Sequence, residues 1–174
     1  MNIKQLEHVL RAGGSITGCR EIVVIGSQAL LASCPHAPEE LLVSMEVDCY
    51  PRDNPAMADL IDGSIGELSP FHATFGYYAH GIGPETALLP ARWSERVVRL
   101  ENENTGGTVG LCLSPVDLAV SKLLAGREKD IDFVRAMLKT GIVGEAAVRA
   151  LAAELNPEQA ALLAVRLKVC LRTT

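Results

Sequence analysis

The sequence predicts an α+β fold in which strands and helices mix in the N-terminal part and only helices follow. Short β-branched or alternating runs of strand length occur up to about residue 113. Beyond that position, apolar residues recur at helical spacing. With 48% hydrophobic and 21% charged residues, the composition is that of an ordinary globular protein. We therefore expect an α/β core over 1–113 and a helical subdomain over 114–174, packed together as one unit.

The first elements are predicted to be a helix, a strand and a second helix. Apolar residues at helical spacing predict a helix over Asn2–Ala12, and the pair Gly13-Gly14 is expected to end it. The β-branched run Glu21–Ile25 predicts a buried strand. Gly26-Ser27 then breaks the strand, and a helix is predicted over Gln28–Ser33.

Alternation of apolar and polar residues predicts the next strand over Leu42–Tyr50. Pro55 at a first helical position, after a cap at Asp53 or Asn54, predicts a helix that runs towards Leu68. A strand over Gly76–Ile82 follows. A hairpin is then predicted, with a strand that ends at Leu100, a turn over Asn104–Gly107 and a strand over Thr108–Leu113.

Local start and stop signals define the C-terminal helices. Ser114 as a cap, Pro115 at the first position and an acidic residue in the first turn predict a helix that ends near Ala125. Asn156 is a similar cap for the last helix. The helices predicted after the first are Glu128–Lys139, Gly144–Glu154 and Pro157–Leu171.

Composition excludes several classes of protein. A net charge of −5 argues against a sequence-blind nucleic-acid binder, whose affinity would rest on neutralising phosphates. The five cysteines show neither an even disulfide pattern nor zinc spacing, which is typical of a reduced, cytoplasmic protein. No apolar run is long enough to span a membrane, and no signal peptide is apparent, so we expect no membrane partner.

Two acidic residues on a strand are the first indication of chemistry. Glu46 and Asp48 are two positions apart, so their side chains share one face of the strand, and Ser44 shares it by the same parity. Two neighbouring carboxylates must be solvated, protonated or bound to a metal, and a hard divalent cation meets that need. The alternative is the solvent face of an ordinary edge strand. The turn at Gly26-Ser27 could hold a phosphate through backbone N–H groups, although such turns are more often plain geometry.

Together these features resemble the nucleotidyltransferase superfamily of the polymerase-beta type. The matching residues are Ile25-Gly26-Ser27 and then Glu46-Val47-Asp48-Cys49. Residues 28–45 form a longer spacer than is usual in that superfamily, and Glu46 stands where aspartate is usual. The resemblance implies a minimal nucleotidyltransferase fold, a small mixed sheet with helices, followed by a C-terminal helical bundle.

A second block makes the resemblance more specific. Leu113–Leu123, continued by Ala125–Asp130, is similar to the helical block of AbiEii-type nucleotidyltransferases, which are toxins of bacterial toxin–antitoxin pairs. That block has a lysine on one helix and a basic residue followed by aspartate at the start of the next. The whole chain resembles a group of small bacterial proteins of that superfamily.

The resemblance implies transfer of a nucleoside monophosphate from a nucleoside triphosphate to an acceptor hydroxyl. The resemblance leaves the acceptor open among RNA, protein and a small molecule, and an antitoxin protein would be a partner if the chain is a toxin. Mg²⁺ would be the cofactor, held by Glu46 and Asp48. Lys122 would neutralise phosphate charge, and Asp130 would orient Lys122 or the acceptor. The nucleotide-binding residues would be Gly26, Ser27, Ser44, Lys122, Arg127 and Lys129.

Two other readings stay open. The chain could be a catalytically inactive relative that binds nucleotide or protein, or a purely structural domain. No pattern singles out a third carboxylate among Glu95, Glu101 and Glu103, which supports the inactive reading. A last cluster surrounds a predicted strand, and we expect it to pack at the core or rim rather than stack on a base. Its members are His72, Tyr77, Tyr78 and His80.

Overall fold

Five strands form one mixed sheet in the computed structural model, which describes residues 1–172. In chain order they are β1 (Glu21–Val24), β2 (Glu46–Pro51), β3 (Tyr78–Gly81), β4 (Val98–Leu100) and β5 (Val109–Cys112). The order across the sheet is β3-β2-β1-β5-β4. The pairs β1–β2 and β4–β5 are antiparallel, whereas β1–β5 and β2–β3 are parallel. Together with the C-terminal helices, this sheet confirms the predicted α+β class and the hairpin of β4 and β5.

Seven α-helices surround or follow the sheet in the same residues. They are α1 (Ile3–Thr17), α2 (Ala58–Ile65), α3 (Pro70–Phe75), α4 (Pro115–Ala125), α5 (Glu128–Lys139), α6 (Glu145–Ala150) and α7 (Pro157–Leu171). The bounds of α4, α5 and α7 are those that the sequence predicts. Local caps explain this agreement for α4 and α7, because the side chains of Ser114 and Asn156 accept hydrogen bonds from backbone amides of the first turn.

The predicted end of the first helix at Gly13-Gly14 is wrong, since α1 continues to Thr17 and ends at Gly18 in a left-handed conformation. Both glycines are buried and face other elements. A Cβ atom on Gly14 would lie 2.1 Å from Oγ1 of Thr108. The glycine therefore permits close packing against the loop before β5, and a contact distant in sequence outweighs the local signal.

Three further elements differ from the prediction. The helix expected over Gln28–Ser33 is a 3₁₀-helix over Ser27–Ala32. Four residues in succession are buried there, so the apolar pattern does not indicate which type of helix forms. The helix expected to reach Leu68 is a 3₁₀ turn followed by α2, which ends at Gly66. The helix expected over Gly144–Glu154 is α6 followed by a 3₁₀ turn.

The second strand is also shorter at its start than the predicted Leu42–Tyr50. Residues Glu39–Leu41 form a 3₁₀ turn, and strand pairing begins only at Glu46. Pairing continues to Pro51, which lies opposite Ile22 at the last position of β2. Within the predicted run, only the residues that pair with β3 or β1 become a strand: Glu46–Cys49 pair with β3, and pairing with β1 begins at Cys49.

A partly buried ionic cluster ties the C-terminal helices to the sheet. Arg96, just before β4, forms ion pairs of 2.7 Å with Asp117 on α4 and 2.8 Å with Glu154 after α6. The Asp117 side chain is fully buried, and Arg96 satisfies both of its oxygens. The cluster fixes α4 beside the sheet. The division into 1–113 and 114–174 stays a prediction.

Within residues 1–172, no helix is both long enough and apolar enough to cross a membrane.

Candidate active site

A cleft of about 670 Å³ lies between the sheet and the helices α4 and α5. One wall comes from the turn after β1 and from β2 and β3, and the other from α4 and the start of α5. Every residue that the sequence predicts for the site lines this cleft: Gly26, Ser27, Ser44, Glu46, Asp48, Lys122, Arg127, Lys129 and Asp130. Segments far apart in the chain therefore converge on one concave surface.

The two carboxylates of β2 share one face of the sheet, which is the arrangement that strand alternation predicts. The neighbouring strand β3 pairs in register, with Glu46 opposite Tyr78 and Asp48 opposite His80. Nδ1 of His80 lies 3.0 Å from Oε1 of Glu46 and 3.1 Å from Oδ1 of Asp48. The hydroxyl of Tyr78 donates a hydrogen bond of 3.1 Å to Glu46. Two carboxylates, one imidazole and one phenol thus form a single cluster.

The cluster perturbs the acidity of its members. Burial and the adjacent Glu46 raise the pKa of Asp48 to about 6. Burial acts to raise the pKa of Glu46 too, but hydrogen bonds from Asp48 and Tyr78 and the nearby His80 outweigh it, so that pKa is lowered. Burial opposes charge on His80, yet the two carboxylates prevail and raise its pKa. The cluster therefore attracts a positive charge.

The turn after β1 brings the backbone against this cluster. A Cβ atom on Gly26 would lie 2.1 Å from Oδ2 of Asp48 and 2.9 Å from its Cβ. Only glycine leaves room for the carboxylate in its present position. The Ser27 side chain follows at the start of the 3₁₀-helix and also lines the cleft. The helix that the sequence predicts after this turn is therefore a 3₁₀-helix and not an α-helix.

The opposite wall carries a buried lysine and its partner. Nζ of Lys122 lies 3.2 Å from Oδ1 of Asp130 and 4.5 Å from the ring centroid of Phe133. Arg127 binds the same carboxylate at 2.6 Å. Asp130 is fully buried, whereas the Lys122 side chain is 14% exposed. Burial lowers the pKa of Lys122, and Asp130 opposes that shift. The carboxylate therefore holds the ammonium in place beside the cleft.

The sequence matches a family model described as nucleotidyltransferase of unknown function (DUF6036) over residues 3–160. The chain belongs to this family. The match extends from α1 through the sheet into α7, so it includes both walls of the cleft. No curated protein and no solved structure matches the chain. The predicted membership of the nucleotidyltransferase superfamily is thereby confirmed.

Some predicted residues of this nucleotidyltransferase lie at the margin of the cleft. The hydroxyl of Ser44 accepts a hydrogen bond of 3.1 Å from the amide of Glu46, so it fixes the start of β2. Lys129 and Arg127 are exposed at the rim. The acidic residues considered for a third carboxylate do not line the cleft. Glu101 pairs with Arg20, and Glu95 lies at a separate cavity.

Sequence reasoning missed the two β3 residues that contact the carboxylates. His80 and Tyr78 were expected to pack at the core or rim, but both bond to Glu46. Their spacing by two positions was a usable signal, since it puts them on one face of a strand. The register between β2 and β3 could not be predicted from the sequence, because it pairs residues about 30 positions apart.

The donor set fits a divalent cation. One ligand atom from each of Glu46, Asp48 and His80 lies within 4.8 Å of the others. Carboxylate oxygens are the ligands that Mg²⁺ prefers, and it is usually bound by one or two of them together with substrate phosphates. These residues could therefore hold the metal that the nucleotidyltransferase fold implies.

Proposed function

We propose that this nucleotidyltransferase transfers a nucleoside monophosphate from a nucleoside triphosphate to an acceptor hydroxyl, with Mg²⁺ as cofactor. The observation that carries the proposal is the convergence of Gly26, the carboxylates Glu46 and Asp48, and Lys122 on one cleft in a chain of this family. The acceptor oxygen would bond to the α-phosphorus, and the bond to the bridging oxygen of the leaving pyrophosphate would break. The hydroxyl proton would pass to solvent.

The β2 carboxylates would provide the metal site. Glu46 and Asp48 would hold the cation between themselves and the phosphates. When bound, the cation neutralises phosphate charge and lowers the pKa of the attacking hydroxyl. Burial and the adjacent Glu46 both disfavour the negative charge on Asp48, which raises its pKa. A divalent cation held by these two carboxylates would offset that charge.

The remaining wall residues would position the triphosphate. Gly26 leaves the backbone accessible beside Asp48, and the Ser27 hydroxyl would orient phosphate oxygens. Lys122 would offset the charge that develops on the leaving pyrophosphate. Asp130 would hold Lys122, and Arg127 and Lys129 at the rim would attract the anionic nucleotide. Catalysis would rest on positioning and electrostatics, as in other phosphoryl transfers.

The alternative is an inactive relative that binds nucleotide or protein. In such a relative, we expect a lysine or arginine to neutralise the β2 carboxylates permanently. In residues 1–172 their side-chain partners are instead His80 and Tyr78, while Lys122 is bound to Asp130. An imidazole can itself bind a metal, so this arrangement favours the enzyme.

A narrower form of the proposal is that the enzyme is a toxin that modifies RNA or protein in the cytoplasm. It is supported by the similarity of Leu113–Asp130 to the helical block of AbiEii-type toxins. An antitoxin protein would then be its partner. Induced expression in a bacterial host, with and without the genes adjacent to its own, would test this. Arrested growth that Asp48→Ala relieves is the expected result, and equal growth of both cultures would contradict it.

The direct test is calorimetric titration with the four nucleoside triphosphates, with and without Mg²⁺. Wild-type protein should bind at least one of them only when Mg²⁺ is present. Asp48→Ala should abolish that binding. Asp53→Ala, which removes an exposed carboxylate just after β2, is the matched control and should bind normally. If no triphosphate binds the wild-type protein, the proposed reaction is wrong.

A positive titration identifies the nucleotide for the second step. Incubation of that triphosphate, labelled on its α-phosphate, with total RNA or with cell protein should transfer label to one of the two fractions. The transfer should require Asp48 and be unaffected by Asp53→Ala. Mg²⁺-dependent binding without any transfer would support the inactive relative.

A further inference from the structure

The position of His80 carries an inference that rests on the proposed function. We propose that His80 is a ligand of the divalent cation in place of a third carboxylate. We further propose that it makes the site favour a first-row transition ion such as Mn²⁺ over Mg²⁺.

The spacing of the donors is the first argument. Adjacent ligands of an octahedral ion with bonds of about 2.1 Å are about 3.0 Å apart. Nδ1 of His80 lies 3.0 Å from the Glu46 oxygen and 3.1 Å from the Asp48 oxygen. One nitrogen within this distance of two carboxylates occupies the place that a third ligand of the same ion would take. The strand pairing, with Asp48 opposite His80, fixes that place through the backbone.

The absence of a competing carboxylate in the described part of the cleft is the second argument. The other acidic side chains that line it are Glu40, Asp130 and Asp132. Asp130 is fully buried and bound by Lys122 and Arg127. Asp132 pairs with Arg135, and Glu40 is exposed in a 3₁₀ turn. In residues 1–172, the one group with metal-ligand geometry is Glu46, Asp48 and His80.

Ligand chemistry gives the preference between metals. Mg²⁺ is a hard ion that gains little from an imidazole, whereas divalent first-row transition ions bind imidazole more favourably. Nδ1 of His80 is the one nitrogen among the three donor atoms, since the other two are carboxylate oxygens of Glu46 and Asp48. It is therefore the ligand that favours Mn²⁺ over Mg²⁺ at this site.

The experiment measures metal binding to the intact chain without nucleotide. Mn²⁺ is titrated by electron paramagnetic resonance, and Mg²⁺ by its competition with bound Mn²⁺. Pulsed measurements on the Mn²⁺ complex detect a coordinated ¹⁴N directly. The variants are His80→Ala, His80→Asp and, as the matched control, His36→Ala, whose histidine is exposed in a loop.

The wild-type complex should show a ¹⁴N coupling that His80→Ala removes and His36→Ala leaves unchanged. His80→Ala should lower the affinity for Mn²⁺ at least about tenfold, since even outer-shell partners of metal ligands contribute about 10–100-fold. The affinity for Mg²⁺ should change by less than about threefold. His80→Asp should raise Mg²⁺ binding relative to Mn²⁺ and retain Mg²⁺-dependent triphosphate binding.

Several outcomes would overturn the inference. Mn²⁺ bound without nitrogen coupling would show that His80 is not a ligand. Tighter binding of both metals to His80→Ala would show that the imidazole competes with the metal for the carboxylates. Either result, with Mg²⁺-dependent triphosphate binding intact in the wild-type protein, would refute the role of His80 alone. If the wild-type protein binds neither metal nor any triphosphate, the proposed function is refuted as well.

Discussion

Gly26 and Asp48 fit against each other so closely that a Cβ atom on residue 26 would lie 2.1 Å from a carboxylate oxygen of Asp48. The turn after β1 and the carboxylate of β2 are thus mutually dependent. The backbone hydrogen bond from Ile25 to Asp48, at 3.0 Å, holds the two strands together just before the turn. Neither partner can move by itself, so the glycine determines where the carboxylate points.

Gly26→Ala should therefore abolish Mg²⁺-dependent triphosphate binding as completely as Asp48→Ala does. The added methyl group forces the carboxylate to rotate away, because the Cβ atom of Asp48 is held in the strand. The overpacking should cost about 1–3 kcal/mol of unfolding free energy. Calorimetric titration and urea unfolding would measure the two effects. Gly63→Ala, in α2 with no atom within 4 Å of the new Cβ, should leave binding unchanged.

Substitution of the two members of the Lys122–Asp130 pair should destabilise the protein to different extents. Asp130→Asn should lower the unfolding free energy by about 2 kcal/mol, because the buried ammonium of Lys122 loses its carboxylate. Lys122→Met should cost less than about 1 kcal/mol, since Arg127 still binds Asp130. Triphosphate affinity should nevertheless fall at least about tenfold in Lys122→Met.

Urea unfolding and titration of both single variants and of the double variant would test this. The double variant should be more stable than Asp130→Asn, because the largely buried ammonium is then absent, and Arg127, which also loses Asp130, is exposed to water. Glu145→Gln is the control for an exposed ion pair, with Arg149, and should change stability by less than about 0.5 kcal/mol. Equal losses of stability in Lys122→Met and Asp130→Asn would contradict the prediction.

The ion pairs of Glu154 predict how stability depends on pH. Arg96 lowers the pKa of this carboxyl to about 2. Its folded pKa is below its unfolded value of about 4.3, so the stabilisation is present above pH 4.3 and lost as the pH falls towards 2. Glu154→Gln should therefore have a lower free energy of unfolding than the wild-type protein at pH 7. This difference in unfolding free energy should decrease between pH 5 and pH 3. Urea unfolding across this range would show it, and a constant difference would contradict it.

The sequence predicts best those elements whose signals are local. The helices α4, α5 and α7 have caps, prolines or acidic first turns within a few residues of their starts, and their bounds follow from these. The residues Glu46 and Asp48 share a face because strand alternation is also local. The turn at Gly26 is also predicted by a local signal, because glycine and serine come directly after the β-branched run that forms β1.

The parts that sequence reasoning missed depend on contacts between distant segments. His80 joins the carboxylates only because β3 pairs in parallel with β2, and no local signal fixes that register. The orientation of Lys122 towards the cleft depends on Asp130 and Phe133 of the next helix. The continuation of α1 past Gly13 depends on what those glycines pack against.

The packing of Gly13 and Gly14 in α1 gives a prediction in which one glycine serves as the control for the other. Gly14→Ala places a Cβ atom 2.1 Å from Oγ1 and 3.0 Å from Cβ of Thr108, a stiff β-branched side chain, and should destabilise the protein by about 1–3 kcal/mol. Gly13→Ala meets only Cδ1 of Ile61, at 3.6 Å, and should stabilise it by about 0.5–1 kcal/mol through helix propensity. Urea unfolding of both variants would measure the difference. If both variants were more stable than the wild-type protein, α1 would not pack against Thr108 in solution.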